Sequence, residues 1–186
     1  MKTLHLLFVL AFISVSSLFA QETKLVDKNG HINFYSHTEV EDITADNYKV
    51  VSTINLSTGA VVFSAPMQSF EFEKSLMQKH YNSPKFLDTK QFPKAKFKGH
   101  IVNFDQIDFN KDGVYSTEVL GELTMHGITQ ATTEKGTITI NGDSVTLNAT
   151  MNITLNDFEI AFKKGKPSTN IAKFVEVTII STYEKQ

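Results

Sequence analysis

Asp108, Asn110 and Asp112, followed by Gly113, place side-chain oxygens at the first, third and fifth positions of a calcium loop and a glycine at the sixth. The second half of that loop fails. Its twelfth position, where a bidentate glutamate belongs, is Val119, Glu118 stands one place short, and no helical periodicity flanks the run. A hairpin turn carrying solvated carboxylates is the expectation, and no metal is expected. The histidines His31, His37, His80, His100 and His126 show neither the i, i+4 spacing nor the C-x-x-C companions of a metal site, and the chain has no cysteine. A general base needs an orienting partner, and no carboxylate stands at a recognisable spacing from His80 or His126. No G-x-S-x-G is present and no glycine-rich phosphate cradle follows a strand. The sequence therefore nominates no catalytic residue and no cofactor.

The elements that would position these groups are strands. Val145, Leu147, Ala149, Met151, Ile153 and Leu155 alternate with Thr146, Asn148, Thr150, Asn152 and Thr154, the period of a strand with one dry and one wet face. The same alternation groups Ile32, Phe34 and Ser36; Val50, Ser52 and Ile54; Val61, Phe63 and Ala65; and Ala95, Phe97, Gly99 and Ile101. It returns in Val119, Gly121, Leu123 and Met125, in Ile138 and Ile140, and in Val175, Val177 and Ile179. Lys28-Asn29-Gly30, Ser57-Thr58-Gly59, Lys111-Asp112-Gly113 and Asn141-Gly142-Asp143 read as turns between them. About eight strands in one antiparallel run predict an all-β barrel or sandwich. Glu71 to Asn82 breaks the pattern and reads as one short helix, either a lid over a ligand or a cover that packs Leu76 and Met77 beneath a loop.

Lys2, the apolar run Leu6 to Ile13 and the small residues up to Ala20 have the layout of a secretory signal peptide, with cleavage expected before Gln21. Residues 1–20 are thus read as a leader and 21–186 as one domain, periplasmic or secreted, with no stable membrane insertion once the leader is gone. A domain of this length can hold itself together by apolar burial without disulfides. The 18 basic side chains are all lysine and the net charge is −2, so no bidentate arginine fork or basic field favours a nucleic-acid partner. Nothing in the sequence sets the oligomeric state, and a homodimer stays open.

Phe86 to Gly99 (FLDTKQFPKAKFKG) and Leu123 to Thr129 (LTMHGIT) resemble signature segments of the YceI-like family, as do Leu155 to Ala161 (LNDFEIA) and the strand Phe174 to Thr182. The resemblance implies a lipocalin-like antiparallel barrel of about eight strands that holds a long apolar molecule such as a polyisoprenoid, a quinone or a fatty acid or amide. His126 occupies the family's histidine slot in LTMHGIT. His80 matches the histidine ahead of F-[FL]-D, although Met77, Gln78 and Lys79 stand where an arginine and an acidic residue commonly precede it.

An eight-stranded barrel is just wide enough either to fill with its own side chains or to hold one small ligand. Ser36, Ser52, Ala65, Gly99, Gly121 and Ala149 are small residues on the dry faces and would leave volume between the phenylalanines. The candidate ligand-binding residues are Phe34, Ile54, Phe63, Phe97, Leu123, Leu147, Ala149, Met151 and Val177. A solid barrel with a stress-response or interaction role, and an enzyme using the cavity with His80 or His126 as base, are the alternatives.

Overall fold

A computed structural model describes residues 24–39, 41–160, 162–163, 166–167 and 171–185; the expected leader and its cleavage point lie outside these residues. Eight long strands form the body: β1 (Lys24–His37), β2 (Asp42–Asn55), β3 (Ala60–Pro66), β4 (Lys94–Ile101), β5 (Gly113–Met125), β6 (Ile128–Asn141), β7 (Ser144–Thr154) and β8 (Phe174–Glu184). Each pairs antiparallel with the next in sequence, and β8 pairs with β1, His31 opposite Ile180 through Tyr35 opposite Glu176. The result is a closed up-and-down barrel in which every long strand has a neighbour on both sides. The alternating patterns predict this register correctly: on β7, Val145, Leu147 and Met151 are buried while Thr146, Asn148 and Thr150 are not.

Three boundaries differ from expectation. Lys28-Asn29-Gly30 does not separate two strands but forms a bulge inside β1, where the register against β2 slips between Asp27 and Ile32. Asp27, buried in that bulge, takes over the lost ladder contacts: its carboxylate accepts the backbone N–H of Asn29 at 2.8 Å and of Thr182 on β8 at 3.1 Å. The helix, α1, is shorter than predicted and runs Ser75–Asn82, because Glu71 and Phe72 instead add a two-residue strand to β2 beside Asp46 and Ala45. Leu155 leaves the strand and opens a 3-10 turn, Leu155–Phe158.

The barrel has unlike ends. At one end the tight turns 56–59 and 141–143 and the connection 102–112 sit over a filled core of Val50, Ile54, Ile101, Ile138, Val145 and Tyr183, all sealed from solvent. Within it the Ser52 hydroxyl donates to Ser181 at 2.9 Å, and the Ser52 and Tyr183 hydroxyls lie 2.7 Å apart. These buried hydroxyls satisfy one another, so they do not carry the cost of an unpaired polar group. At the other end lie the longer segment 67–93, which contains α1, and residues 155–160.

The calcium-like run is a turn. Asp108 accepts the Asn110 N–H at 3.0 Å, Asp112 accepts the Gly142 N–H at 2.8 Å, and the Tyr115 hydroxyl lies within bonding distance of the Lys111 and Asp108 carbonyls. The Asp108 carboxylate closes its own turn, and that of Asp112 ties the turn to the β6–β7 hairpin. No group of three or more metal-ligating side chains occurs among the described residues.

Candidate functional site

The half of the barrel beneath α1 encloses an apolar cavity of about 720 Å³. Its wall is built from the dry faces of the strands: Phe34 on β1, Phe63 on β3, Phe97 on β4, Leu123 on β5, Leu147, Ala149 and Met151 on β7, and Val177 on β8. Eight of the nine residues chosen from the sequence therefore share one space. Ile54 does not, and this corrects its selection: its strand face is the expected one, but it lies too far along β2, opposite Leu25 and Val61, in the filled end. Alternation identifies which face is dry but not how far along the strand the core stays solid.

The small residues divide in the same way. Ser36, Ala65 and Ala149 line the cavity, whereas Ser52 belongs to the buried hydroxyl group of the filled end. Gly99 and Gly121 face each other across β4 and β5, but the Phe97 ring folds over both: a Cβ on Gly121 would stand 2.4 Å from Phe97 Cζ and one on Gly99 2.7 Å from Phe97 Cε1. These two glycines make room for an aromatic ring and add no ligand volume.

The roof over the cavity was only partly legible. Phe70, Phe72 and Tyr81 cluster on Phe34, with ring centroids 5.5, 5.7 and 6.0 Å from it. Tyr81 is the buried anchor of α1, and burial pushes its phenol pKa upward. Met77, His80 and Tyr81 all face the cavity from the helix, which makes α1 part of the cavity wall. Of Leu76 and Met77, which one of the two readings of this segment packs beneath a loop, Met77 lines the cavity while Leu76 is 61 % exposed.

Three signature segments converge at this end. His126 and Gly127, with φ of 52° and 79°, form the two-residue turn between β5 and β6, and left-handed backbone at both positions defines a type I′ hairpin. The imidazole meets the Phe92 ring edge-on, 4.6 Å between centroids, and its Nδ1 lies 2.9 Å from the Phe158 carbonyl. A carbonyl only accepts, so Nδ1 carries the proton. One side chain thus fastens FLDTKQFP, LTMHGIT and LNDFEIA together. His126 does not line the cavity; His80 does, at its mouth. Among the described residues the non-glycine positions with positive φ are Asp88, His126 and Glu159, one in each of these segments. Such backbone costs energy and persists only where its surroundings enforce it.

The comparisons agree with this geometry. The profile of the YceI-like domain matches residues 24–182. The chain belongs to the YceI-like family. A UPF0312 protein of Pseudomonas putida strain GB-1 is 33 % identical over 113 residues, covering 58 % of this chain and 54 % of that one. A second, from strain W619, is 32 % identical over the same length; the chain spans about half the length of these curated relatives. Among solved structures, a polyisoprenoid binding domain from Saccharophagus degradans superposes with a TM-score of 0.72 at 11 % identity, over 88 % of this chain and 99 % of that one. Burkholderia cenocepacia BcnA gives 0.68 at 16 % identity, over 82 % and 95 % of the two chains. The Campylobacter jejuni YCEI protein gives 0.62 at 13 % identity, over 81 % and 90 %. These likenesses establish the shared barrel.

Proposed function

We propose that this YceI-like protein is a non-enzymatic carrier that holds a long apolar molecule, of polyisoprenoid, quinone or fatty-acid and amide type, inside the barrel. The observation that carries the reading is the cavity itself: about 720 Å³, walled chiefly by aromatic and aliphatic side chains, within the roughly 300–1,000 Å³ range of small-molecule sites. Each buried methylene is worth about 0.8 kcal/mol, so a five-carbon unit gains roughly 4 kcal/mol, and a few units offset the ~4–15 kcal/mol cost of association. Affinity of this kind requires no charged clamp. The polyisoprenoid-binding description of the Saccharophagus degradans neighbour supports the ligand class.

Turnover has less support. The His126 ring is committed to Phe158 and Phe92, and the His80 side chain, at the mouth, has no carboxylate partner among the described residues to orient it as a base. The proposal extends to export: residues 1–20 act as a leader removed before Gln21, and the domain 21–186 works in the periplasm or outside the cell. Extraction of lipids from purified protein followed by mass spectrometry tests the carrier reading. Prenyl or acyl chains at near-stoichiometric amounts are expected, and protein that carries none and takes up none when offered them would overturn it.

A further inference from the structure

The barrel wall is parted between β6 and β7. β5 and β6 pair along their whole length, Gly113 opposite Ile140 through Met125 opposite Ile128, and β7 and β8 pair from Ser144 opposite Glu184 to Thr154 opposite Phe174. Between them, however, the ladder of β6 and β7 runs only from Asn141 opposite Ser144 to Gly136 opposite Ala149. Beyond Gly136 the two strands diverge, β6 staying with β5 and β7 with β8. Gly136 sits at the fork, and a Cβ there would stand 2.5 Å from the Asn148 carbonyl oxygen, so the residue type fits the close approach from which the strands separate. The 3-10 turn Leu155–Phe158 bridges the far end, tied to β6 by Gln130 Nε2, which donates to the Asp157 carbonyl at 2.8 Å. A slit results, bounded by the fork and by this bridge. The ladder between β2 and β3 also stops short, but Glu71 and Phe72 pair with β2 there and Asn47 donates to the Pro66 carbonyl at 2.9 Å, covering that break.

Glu134 lies on β6, two residues past the fork. It is opposite Val119, on the inward phase, and both line the cavity. One carboxylate oxygen accepts a hydrogen bond from the Thr132 hydroxyl. No lysine or histidine pairs with Glu134 among the described residues, whereas Glu41, the other carboxylate on the cavity lining, is held by Lys74 at 2.6 Å. The two lysines on the cavity lining, Lys85 and Lys96, are exposed and neither pairs with Glu134, so the chamber carries one half-buried carboxylate without an ion-pair partner on a barrel strand, beside the parted edge of its wall.

We propose that Glu134 and Thr132 at the β6–β7 slit are a head-group site, which selects apolar chains ending in a hydrogen-bond donor, a hydroxyl or an ammonium, and rejects chains ending in a carboxylate. This rests on the carrier reading: the tail occupies the cavity and the head reaches the slit. A donor gives a charge-assisted bond to the second carboxylate oxygen, whereas a carboxylate head would set like charges side by side in a poorly solvated place.

The test uses diphenylhexatriene, a hydrocarbon with no head group, as a fluorescent cavity probe on the folded barrel. Its displacement is measured with dodecanol, dodecylamine and dodecanoate, each below its micelle concentration. The alcohol and amine should displace the probe at about tenfold lower concentration than the acid. In Glu134→Gln that gap should close, mainly through better binding of the acid, with the melting temperature showing that the variant is folded. An acid that competes as well as the alcohol and amine in the parent, or a preference unchanged in Glu134→Gln, would overturn the head-group site and leave the carrier reading standing. Failure of diphenylhexatriene and all three competitors to bind would instead overturn the carrier reading, and this site with it.

Discussion

His126 and Phe92 meet edge to face at 4.6 Å between centroids, and through that pair the segment leading into β4 is held against the hairpin of β5 and β6. The imidazole donates from Nδ1 to the Phe158 carbonyl on the opposite side, so its contacts position chain rather than substrate. The histidine slot of this family motif is thereby explained by geometry: a left-handed residue with a flat ring and a donor satisfies a turn, an aromatic neighbour and an orphan carbonyl at once.

His126→Ala should accordingly lower stability while sparing the cavity. Loss of one partly buried hydrogen bond and one aromatic contact predicts a cost of about 1–2 kcal/mol, a fall in melting temperature of roughly 2–8 °C for a domain of this size. Co-purifying lipid measured by mass spectrometry should be unchanged. A variant with normal melting but no lipid would place the imidazole in ligand recognition instead.

Ala149→Phe should do the reverse. Ala149 lines the cavity, so the added ring takes volume that a guest would fill. Overpacking a filled core typically costs ~1–3 kcal/mol, and open space beside Ala149 should reduce that strain. The expected result is an intact melt with lipid content near zero; severe unfolding would mean the space cannot accept a ring.

Glu159→Asn should stabilise the protein by up to about 1 kcal/mol. Glu159 is exposed and held at φ 52°, and asparagine tolerates left-handed backbone better without glycine's entropy cost. Urea denaturation reads the difference as a higher midpoint at unchanged slope. A lower midpoint would show that the Glu159 side chain contributes something beyond its backbone shape.

Burial pushes the Tyr183 phenol up to about 12, against an ordinary value of 10.0. The unfolded chain then releases this proton first, so its contribution to stability is fully present below about pH 10 and is lost as pH rises to about 12. Two pKa units correspond to roughly 2–3 kcal/mol. Tyr183→Phe should therefore flatten part of the decline in stability over that range, as followed by denaturation at stepped alkaline pH. Tyr81, also raised by burial, should keep the decline from vanishing. An identical alkaline profile in parent and variant would show that Tyr183 ionises equally well folded.

The proposed leader predicts that the exported protein begins at Gln21. Intact mass and N-terminal sequencing of the periplasmic fraction check this, and a species beginning at Met1 would contradict it.

Much of this architecture was legible in the sequence, for a physical reason. A strand whose one face is buried must alternate, and Val145 to Ile153 or Ala95 to Ile101 could hardly occupy another register without exposing their apolar set. Cavity residues followed from the same phase. What alternation cannot encode is position along the barrel axis, which is why Ile54 and Ser52, correct in face, turned out to be at the solid end. Nor does it report a side chain bending along its own strand, as Phe97 does over Gly99 and Gly121. Glu134 was overlooked because an acid between Thr133 and Lys135 reads as solvated surface until the register places it opposite Val119. Its one sequence signal was phase, two residues before Gly136 and four before Ile138 on the dry face.

The ring of strands is completed by β1 against β8, and the Ser52–Ser181 bond joins positions 129 residues apart. Bringing such distant positions together costs chain entropy on the order of 4 kcal/mol, and topologies dominated by distant pairings fold slowly. Until that seam forms, β1 and β8 both present unsatisfied edges, and any chain lacking β8 would leave β1 and β7 open permanently. Such a product would be more than a weaker carrier: with two open edges and an uncovered apolar interior, it would be a template for its own aggregation.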